Sequence, residues 1–223
     1  MKLNISSSTI CEYTMLKELP LFPLNLVAFP GESLNLHIFE PRYTQLINDC
    51  LQMKTNFGIP THVHGKLEYG TEVAIDDVAQ IYDDGRMDIK TKGIKSFVIV
   101  DFENPWNGRL YAGGKVSMID HIHDQDPDLA TEVLENCFAL FDWLQMRDEV
   151  SHIKNPGIYD LIHKIGLKLE EEYELIKMTS EHARQLYILK HLENLIPALE
   201  RAEKAKEKII LNGHFKHFDP LKF

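Results

Sequence analysis

Hydrophobic residues between position 17 and about position 120 recur with the short period of strands. Leu34, Leu36 and Ile38 alternate with Asn35 and His37, the period of two that marks a half-buried strand. Val73, Ile75, Val78 and Ile81 run towards Asp83-Asp84-Gly85, and Met87, Ile89 and Thr91 alternate away from it. Glycine takes positive φ without penalty, so Asp-Gly between alternating runs predicts a hairpin. The step from Ile75 to Val78 breaks the alternation and predicts a bulge at Asp76-Asp77. Leu19 to Phe29 is apolar but interrupted by Pro20, Pro23 and Pro30. Proline cannot donate to a ladder, so edge strands or strand ends are expected there. Phe97 to Val100 is apolar on both parities, as in a strand covered on both faces, and Tyr111 to Ile119 reads as the last strand. One helix interrupts the series: Pro41 suits a first turn, and Tyr43, Leu46, Ile47 and Cys50 follow at helical spacing. Many strands with one short helix predict a small antiparallel barrel or sandwich.

After His121-Ile122-His123-Asp124 the period lengthens. Asp126-Pro127 resembles an N-cap followed by a first-turn proline, opening a helix to about Met146 with Leu134, Phe138, Phe141 and Leu144 on one face. Asn155-Pro156 repeats the start signal for a stripe of Ile158, Leu161, Ile162 and Ile165, which Gly166 ends. Leu169 to Met178 is a third, short helix. Ser180 opens a long fourth one carrying Leu186, Leu189, Leu192, Leu195, Ile196 and Leu199, with Pro197 expected to kink it. The expected organisation is an arm over 1–16, a β subdomain over 17–122, a helical subdomain over 123–211 and a tail over 212–223.

Composition narrows the partners. Hydrophobic residues form 44% of the 223 positions, enough for a sizeable core. The formal net charge of −10 argues against nucleic acid and against an anionic membrane as partners. No apolar run reaches the ~18 residues of a membrane span, and the Ser-rich stretch Met1 to Thr14 lacks a signal-peptide core, so a cytoplasmic protein is expected. Cys11, Cys50 and Cys137 are scattered, with no CxxC, which argues against a disulfide framework or zinc ribbon.

Catalytic motifs are scarce. The sequence has no GxxxxGK[ST], no GxSxG and no HExxH. His62 and His64 alternate in one extended stretch, and His121 and His123 precede Asp124 in another. Two such pairs are the raw material of a zinc or iron site, so a small-molecule or metal-dependent enzyme using His62, His64, His121 and His123 is one reading, and plain loop histidines are the other. His214 and His217 fall in the tail. Cys50 and Cys137 sit on apolar stripes as small core residues, and Cys11 lies in the arm. Trp106, in Asn104-Pro105-Trp106-Asn107-Gly108, is either a binding anchor or a ring folded back over the barrel end.

The run Leu19-Pro20-Leu21-Phe22-Pro23-Leu24-Asn25-Leu26-Val27-Ala28-Phe29-Pro30-Gly31, followed by Leu36-His37-Ile38-Phe39-Glu40-Pro41-Arg42-Tyr43, resembles the opening of the Lon protease N-terminal domain. Gly70-Thr71, Asp84-Gly85-Arg86 and Gly93-Ile94-Lys95-Ser96-Phe97 are similar to that family's central hairpin. The resemblance implies an α+β fold, a PUA-like β pseudobarrel followed by a C-terminal helical bundle. It implies capture of unfolded or extended polypeptide, with no cofactor and no catalytic residue in this domain. The ATPase and Ser-Lys protease modules of full-length Lon have no counterpart motifs in this sequence, so a separate protease or ATPase is the implied partner. RNA binding, by analogy with other PUA-like folds, is a third reading that the net charge opposes.

Aromatic and Arg side chains are enriched at binding surfaces. On that ground Phe39, Tyr43, Trp106 and Tyr111 are candidate apolar anchors, and Arg42 and Arg109 candidate polar contacts. Glu40 is placed to accept free N–H groups of the following helix or to favour its dipole, and Arg42 to pair with Glu40 or with a carboxylate across the β domain. A purely structural role for this corner is the alternative.

Overall fold

The alternation on either side of Asp83-Asp84-Gly85 builds a long hairpin in the computed structural model, which describes residues 15–151 and 157–214. Its strands are β4 (Lys66–Ile81) and β5 (Met87–Glu103), and Gly85 closes the turn at φ 85°. The ladder slips between Ile75 and Asp77, at the expected bulge, and also between Glu72 and Val73 and between Val78 and Gln80. The other strands are β1 (Leu16–Leu21), β2 (Ser33–Ile38), β3 (Phe57–Val63) and β6 (Ala112–Met118). They form one six-stranded sheet in the order β2-β5-β4-β3-β1-β6, with a further pairing of β5 and β6. That pairing closes five strands into a ring of ladders. β2 stays outside it and pairs with the distal half of β5, so β2, β5 and the end of β4 make a three-stranded arm.

Three strand expectations need correction. The sheet is not purely antiparallel: β1 meets β3 in parallel at Leu21 and Gly58. Pro20 falls at a strand end, next to the last residue of β1, but β1 has neighbours on both sides, so the edge alternative does not hold. Met118 donates to the Met15 carbonyl, so at constant register the odd residues of β1 bond β6. The Pro20 nitrogen therefore faces away from that ladder, where a missing N–H costs nothing. Lastly, Phe97 is fully buried but Val100 is 57% exposed, because the ladder shifts between Ile99 and Asp101 and β5 leaves the core there.

Helix α1 (Pro41–Met53) turns its apolar stripe of Tyr43, Leu46, Ile47 and Cys50 onto the sheet, as the spacing predicts. They join Phe22, Leu36, Ile38, Phe57 and Ile89 in the larger core cluster. A smaller cluster gathers Leu19, Leu21, Phe97, Val116 and Met118.

By contacts the chain divides into two units, Met1–Asp124 with Pro156–Glu181, and Gln125–Asn155 with His182–Phe223. Helices α4 (Ile158–Leu161) and α5 (Leu169–Lys177), with the 3-10 turn Ile162–Lys164 between them, therefore belong with the sheet. The sequence reading had grouped them with the helices that precede and follow. Gly166 breaks this run at φ 79°. Tyr173 accepts from the Tyr69 amide of β4 at 3.1 Å, and Ser180 donates to Asp124 at 2.7 Å.

The second unit contains α2 (Pro127–Trp143), α3 (Arg147–Val150) and most of α6 (Glu181–His214). Asp126 caps α2, accepting from the amides of Asp128 and Leu129, with Pro127 in the first turn. Its buried stripe runs Val133, Cys137, Leu140 and Phe141; Phe141 is as expected, and the rest lies one position aside from the expected stripe. Leu134, Phe138 and Leu144 sit at its margin, and Phe138 carries the Arg147 guanidinium 4.4 Å above its ring. α6 continues through Pro197, and its residues from Glu200 to Ile210 are exposed. No helix among the described residues is long and apolar enough to cross a membrane. Cys11, His217 and the Asn155-Pro156 start signal lie outside the described residues.

Candidate functional site

Helix α1 supports the candidate residues. At its head Phe39 is 63% exposed and stacks on the His37 ring at 6.0 Å. His37 Nδ1 lies 2.6 Å from the Asp88 carboxylate, which also accepts from the Tyr82 hydroxyl at 2.7 Å. These two hydrogen bonds, His37 first, hold the Asp88 carboxyl below the usual carboxylate range. Glu40 is the N-cap by position, but its side chain caps nothing. It accepts instead from Arg42 at 2.8–2.9 Å, settling the pairing alternatives in favour of a local one. The Arg42 guanidinium lies 4.5 Å over the Tyr43 ring. Tyr43 itself is buried and stacked on Phe22 at 3.8 Å. A hollow of about 450 Å³ opens between this helix start and the β4–β5 turn, lined by Phe39, Pro41, Gln45, Asn48 and Arg86 among others.

The other flank of α1 meets the loop before β6. Asp49 accepts from Arg109 at 2.6 Å and from the Tyr111 hydroxyl at 2.8 Å. Burial first, then the Asp49 carboxylate, push the Tyr111 phenol well above its ordinary value. Gln45, one turn earlier, accepts from the Leu110 amide at 2.8 Å and also lines the 450 Å³ hollow. Leu110 is 60% exposed. Trp106 is folded back rather than projecting: its ring packs against the larger core and lies over Gly113, where a Cβ would come within 2.2 Å of it. Its remaining edge walls a second hollow of about 430 Å³, with Lys17, Pro20, Met53 and Lys54.

Of the six candidates, then, Phe39, Arg42 and Arg109 offer side chains to solvent, Trp106 offers an edge, and Tyr43 and Tyr111 stand behind them in the core. Sequence reasoning missed Gln45 and Asp49, which join the two groups. The available signal was their spacing of four on the polar side of a short amphipathic helix. Two adjacent glycines before the last strand's middle also shape this flank. Gly113 makes room for Trp106 and Gly114 for the Asp101 carbonyl.

The histidine alternative finds no geometric support. His64 stands at φ 51° with Glu170 at 3.4 Å. Among the described residues, no group of three or more His, Cys, Asp or Glu is arranged to hold a metal ion. Cys50 and Cys137 are core residues whose thiols burial pushes up to about 11 and about 12. The most perturbed histidine is one the sequence did not mark. His163 bridges two buried carboxylates, Glu172 at 2.8 Å and Glu32 at 3.0 Å. Burial, the largest single influence, opposes its charge, but the two hydrogen bonds and the charges of both carboxylates together outweigh it and carry its pKa up to about 10.

A family model for the ATP-dependent protease La (LON) substrate-binding domain matches residues 18–194. The chain belongs to the Lon substrate-binding domain family. Among solved structures, it is 26% identical to a Lon N-terminal domain protein from Xanthomonas campestris, with a TM-score of 0.57 over 78% of this chain and 98% of that one. The N-terminal domain of the Mycobacterium avium complex Lon protease has the same TM-score at 14% identity, over 80% of this chain and 100% of that one, and shows the shared fold. No curated protein matches the chain. Membership supports a substrate-binding role, and the Lon substrate-binding domain is by itself non-catalytic.

Proposed function

We propose that this Lon-family domain binds extended or unfolded protein segments and delivers them, as an adaptor in protein quality control, to a separate protease or ATPase. The observation that carries this reading is the α1 corner. Phe39 and Leu110, both more than half exposed, flank one helix beside a 450 Å³ hollow, with Arg42 and Arg109 held on either side. Exposed apolar anchors next to fixed guanidinium groups suit a chain whose own apolar side chains are unburied. Tyr43 and Tyr111 contribute as rigid backing for Arg42 and Arg109. The ring of five paired strands supports reading the β unit as a PUA-like pseudobarrel.

The test uses a reduced, iodoacetamide-alkylated model protein that stays unfolded, titrated by fluorescence anisotropy against the full chain. Binding of the unfolded form over its native form is expected, with roughly tenfold weakening for the double variant F39A/L110A, which removes the two exposed anchors and leaves the core intact. Equal affinity for native and unfolded forms, or no loss in the variant, overturns the reading.

A further inference from the structure

Among the described residues the arm has two free strand edges, and they are treated differently. The end of β4, from Asp76 to Ile81, has β5 on one side and, among the described residues, no strand on the other, since β3 pairs with β4 only up to Val73. That edge is bulged twice and carries Asp76 and Asp77, two devices that discourage a new strand from pairing. β2 is the opposite case. It pairs with β5 over Ser33–Ile38 without a register shift, and contains no proline, bulge or charged carboxylate, lysine or arginine.

The pattern of its hydrogen bonds says which groups face out. Gly93 donates to the Glu32 carbonyl, so at constant register the bonded positions of β2 are Leu34, Leu36 and Ile38. The N–H and C=O groups of Ser33, Asn35 and His37 therefore point off the sheet. Among the described residues no hydrogen bond reaches them. At the end of this row stands Phe39, on the same face as His37. A hollow of about 360 Å³ lies over that face, lined by Asn35, His37, Asp88 and Lys90 among others.

We infer that the outer edge of β2 is the docking strand, on which an extended client segment adds to the sheet through Ser33, Asn35 and His37 and places an apolar side chain against Phe39. This rests on the polypeptide-binding reading and specifies its mode. Charge selects the occupant. On the arm Asp76, Asp77, Asp83, Asp84 and Asp88 outnumber Arg86, Lys90 and Lys92, and the whole chain carries −10. A second copy would bring the same excess against it, whereas a neutral or basic segment with alternating apolar residues would not. Backbone pairing supplies affinity with little sequence demand, and the Phe39 contact fixes register.

The probe is a set of overlapping peptides from the same alkylated model protein, measured against the full chain. The tightest binder is then N-methylated one residue at a time. Expected is roughly tenfold weakening at every second position, because each outward group of β2 loses its partner only there. On the protein side, Asn35→Pro removes an N–H that the ladder does not use, so it should fold and bind at least tenfold more weakly. If that variant fails to fold, the N-methyl series still decides. Peptide binding with no alternation in the series overturns the strand mode and leaves the polypeptide-binding reading standing. No peptide binding at all overturns both. A dimer in sedimentation that Asn35→Pro dissolves gives the edge to a second copy and overturns the client assignment.

Discussion

Strand β2 is flanked by two corners that share a Phe, a Pro and a Glu. Phe29-Pro30-Gly31-Glu32 precedes it and Phe39-Glu40-Pro41-Arg42 follows it. Their fates are opposite. Phe29 is fully buried, stacked on Tyr159 at 5.1 Å, and Glu32 is held by His163 and by the Phe29 amide. Phe39 is exposed, and Glu40 finds only the neighbouring Arg42. The difference lies in what covers each corner. Residues 157–181 pack over the first, and no strand or helix among the described residues covers Phe39. One end of β2 is thus a fastening and the other an open contact.

The largest expected contrast comes from truncating the two phenylalanines. Phe29→Ala should cost about 3–5 kcal/mol in urea unfolding, the usual loss for a buried aromatic. Phe39→Ala should stay within about 0.5 kcal/mol, as surface changes do. Equal losses would mean that Phe39 is covered by something, and the contrast would collapse.

Next in size is the fastening itself. Replacing His163 by Gln leaves Glu32 and Glu172 facing each other with a weaker donor. A loss of about 2 kcal/mol is expected, moderated because the histidine is one-third exposed. The pH dependence has a definite sign. His163 has its pKa raised from an ordinary 6.5 to about 10, so its contribution is complete below pH 6.5 and drains away as pH rises towards 10. The stability difference between wild type and His163→Gln should therefore shrink between pH 7 and 10, read from urea midpoints at each pH. A difference that stays constant across this window would remove the charged bridge from the account.

An effect of similar size should follow at the other flank of α1. Gly113→Ala drives a methyl group into the Trp106 ring, with an expected cost of about 1–3 kcal/mol and a shift of tryptophan emission towards the exposed value. The smallest is Arg42→Ala. Its pair with Glu40 is exposed, and a loss below about 1 kcal/mol is expected in the same urea series.

Local signals in the sequence were read well where one residue type forces one geometry. Asp-Gly marked the hairpin turn, Asp126-Pro127 the start of α2, and the break at Ile75–Val78 a bulge. Failures came where a partner distant in sequence decides the outcome. Pro20 signals an edge only if its nitrogen faces a ladder, and the register of β1 on β6 turns it away. Trp106 sits in a polar loop, yet Gly113 offers its ring a bed. The α2 stripe was displaced by one position because Leu134 and Phe138 are as apolar as the residues that are buried. For the site, the motif around Phe39 and Arg42 could be seen directly. Asp49 and Gln45 could not, since a polar helix face usually means only solvent. The His163 bridge was invisible because its two carboxylates lie in different elements.

The bridge from Glu32 to His163 spans 131 residues of sequence. Between its ends the chain must make all of β2 to β6 and then Gln125–Asn155, a segment of the other unit. During synthesis the ribosome therefore releases every strand well before the residues that fasten the first corner exist. Until then Glu32 has no histidine partner and Phe29 no Tyr159, so the nascent sheet carries two open corners instead of one. The exposed corner at the head of α1, whose contacts lie within residues 37–111, is complete long before the unit that carries it is locked.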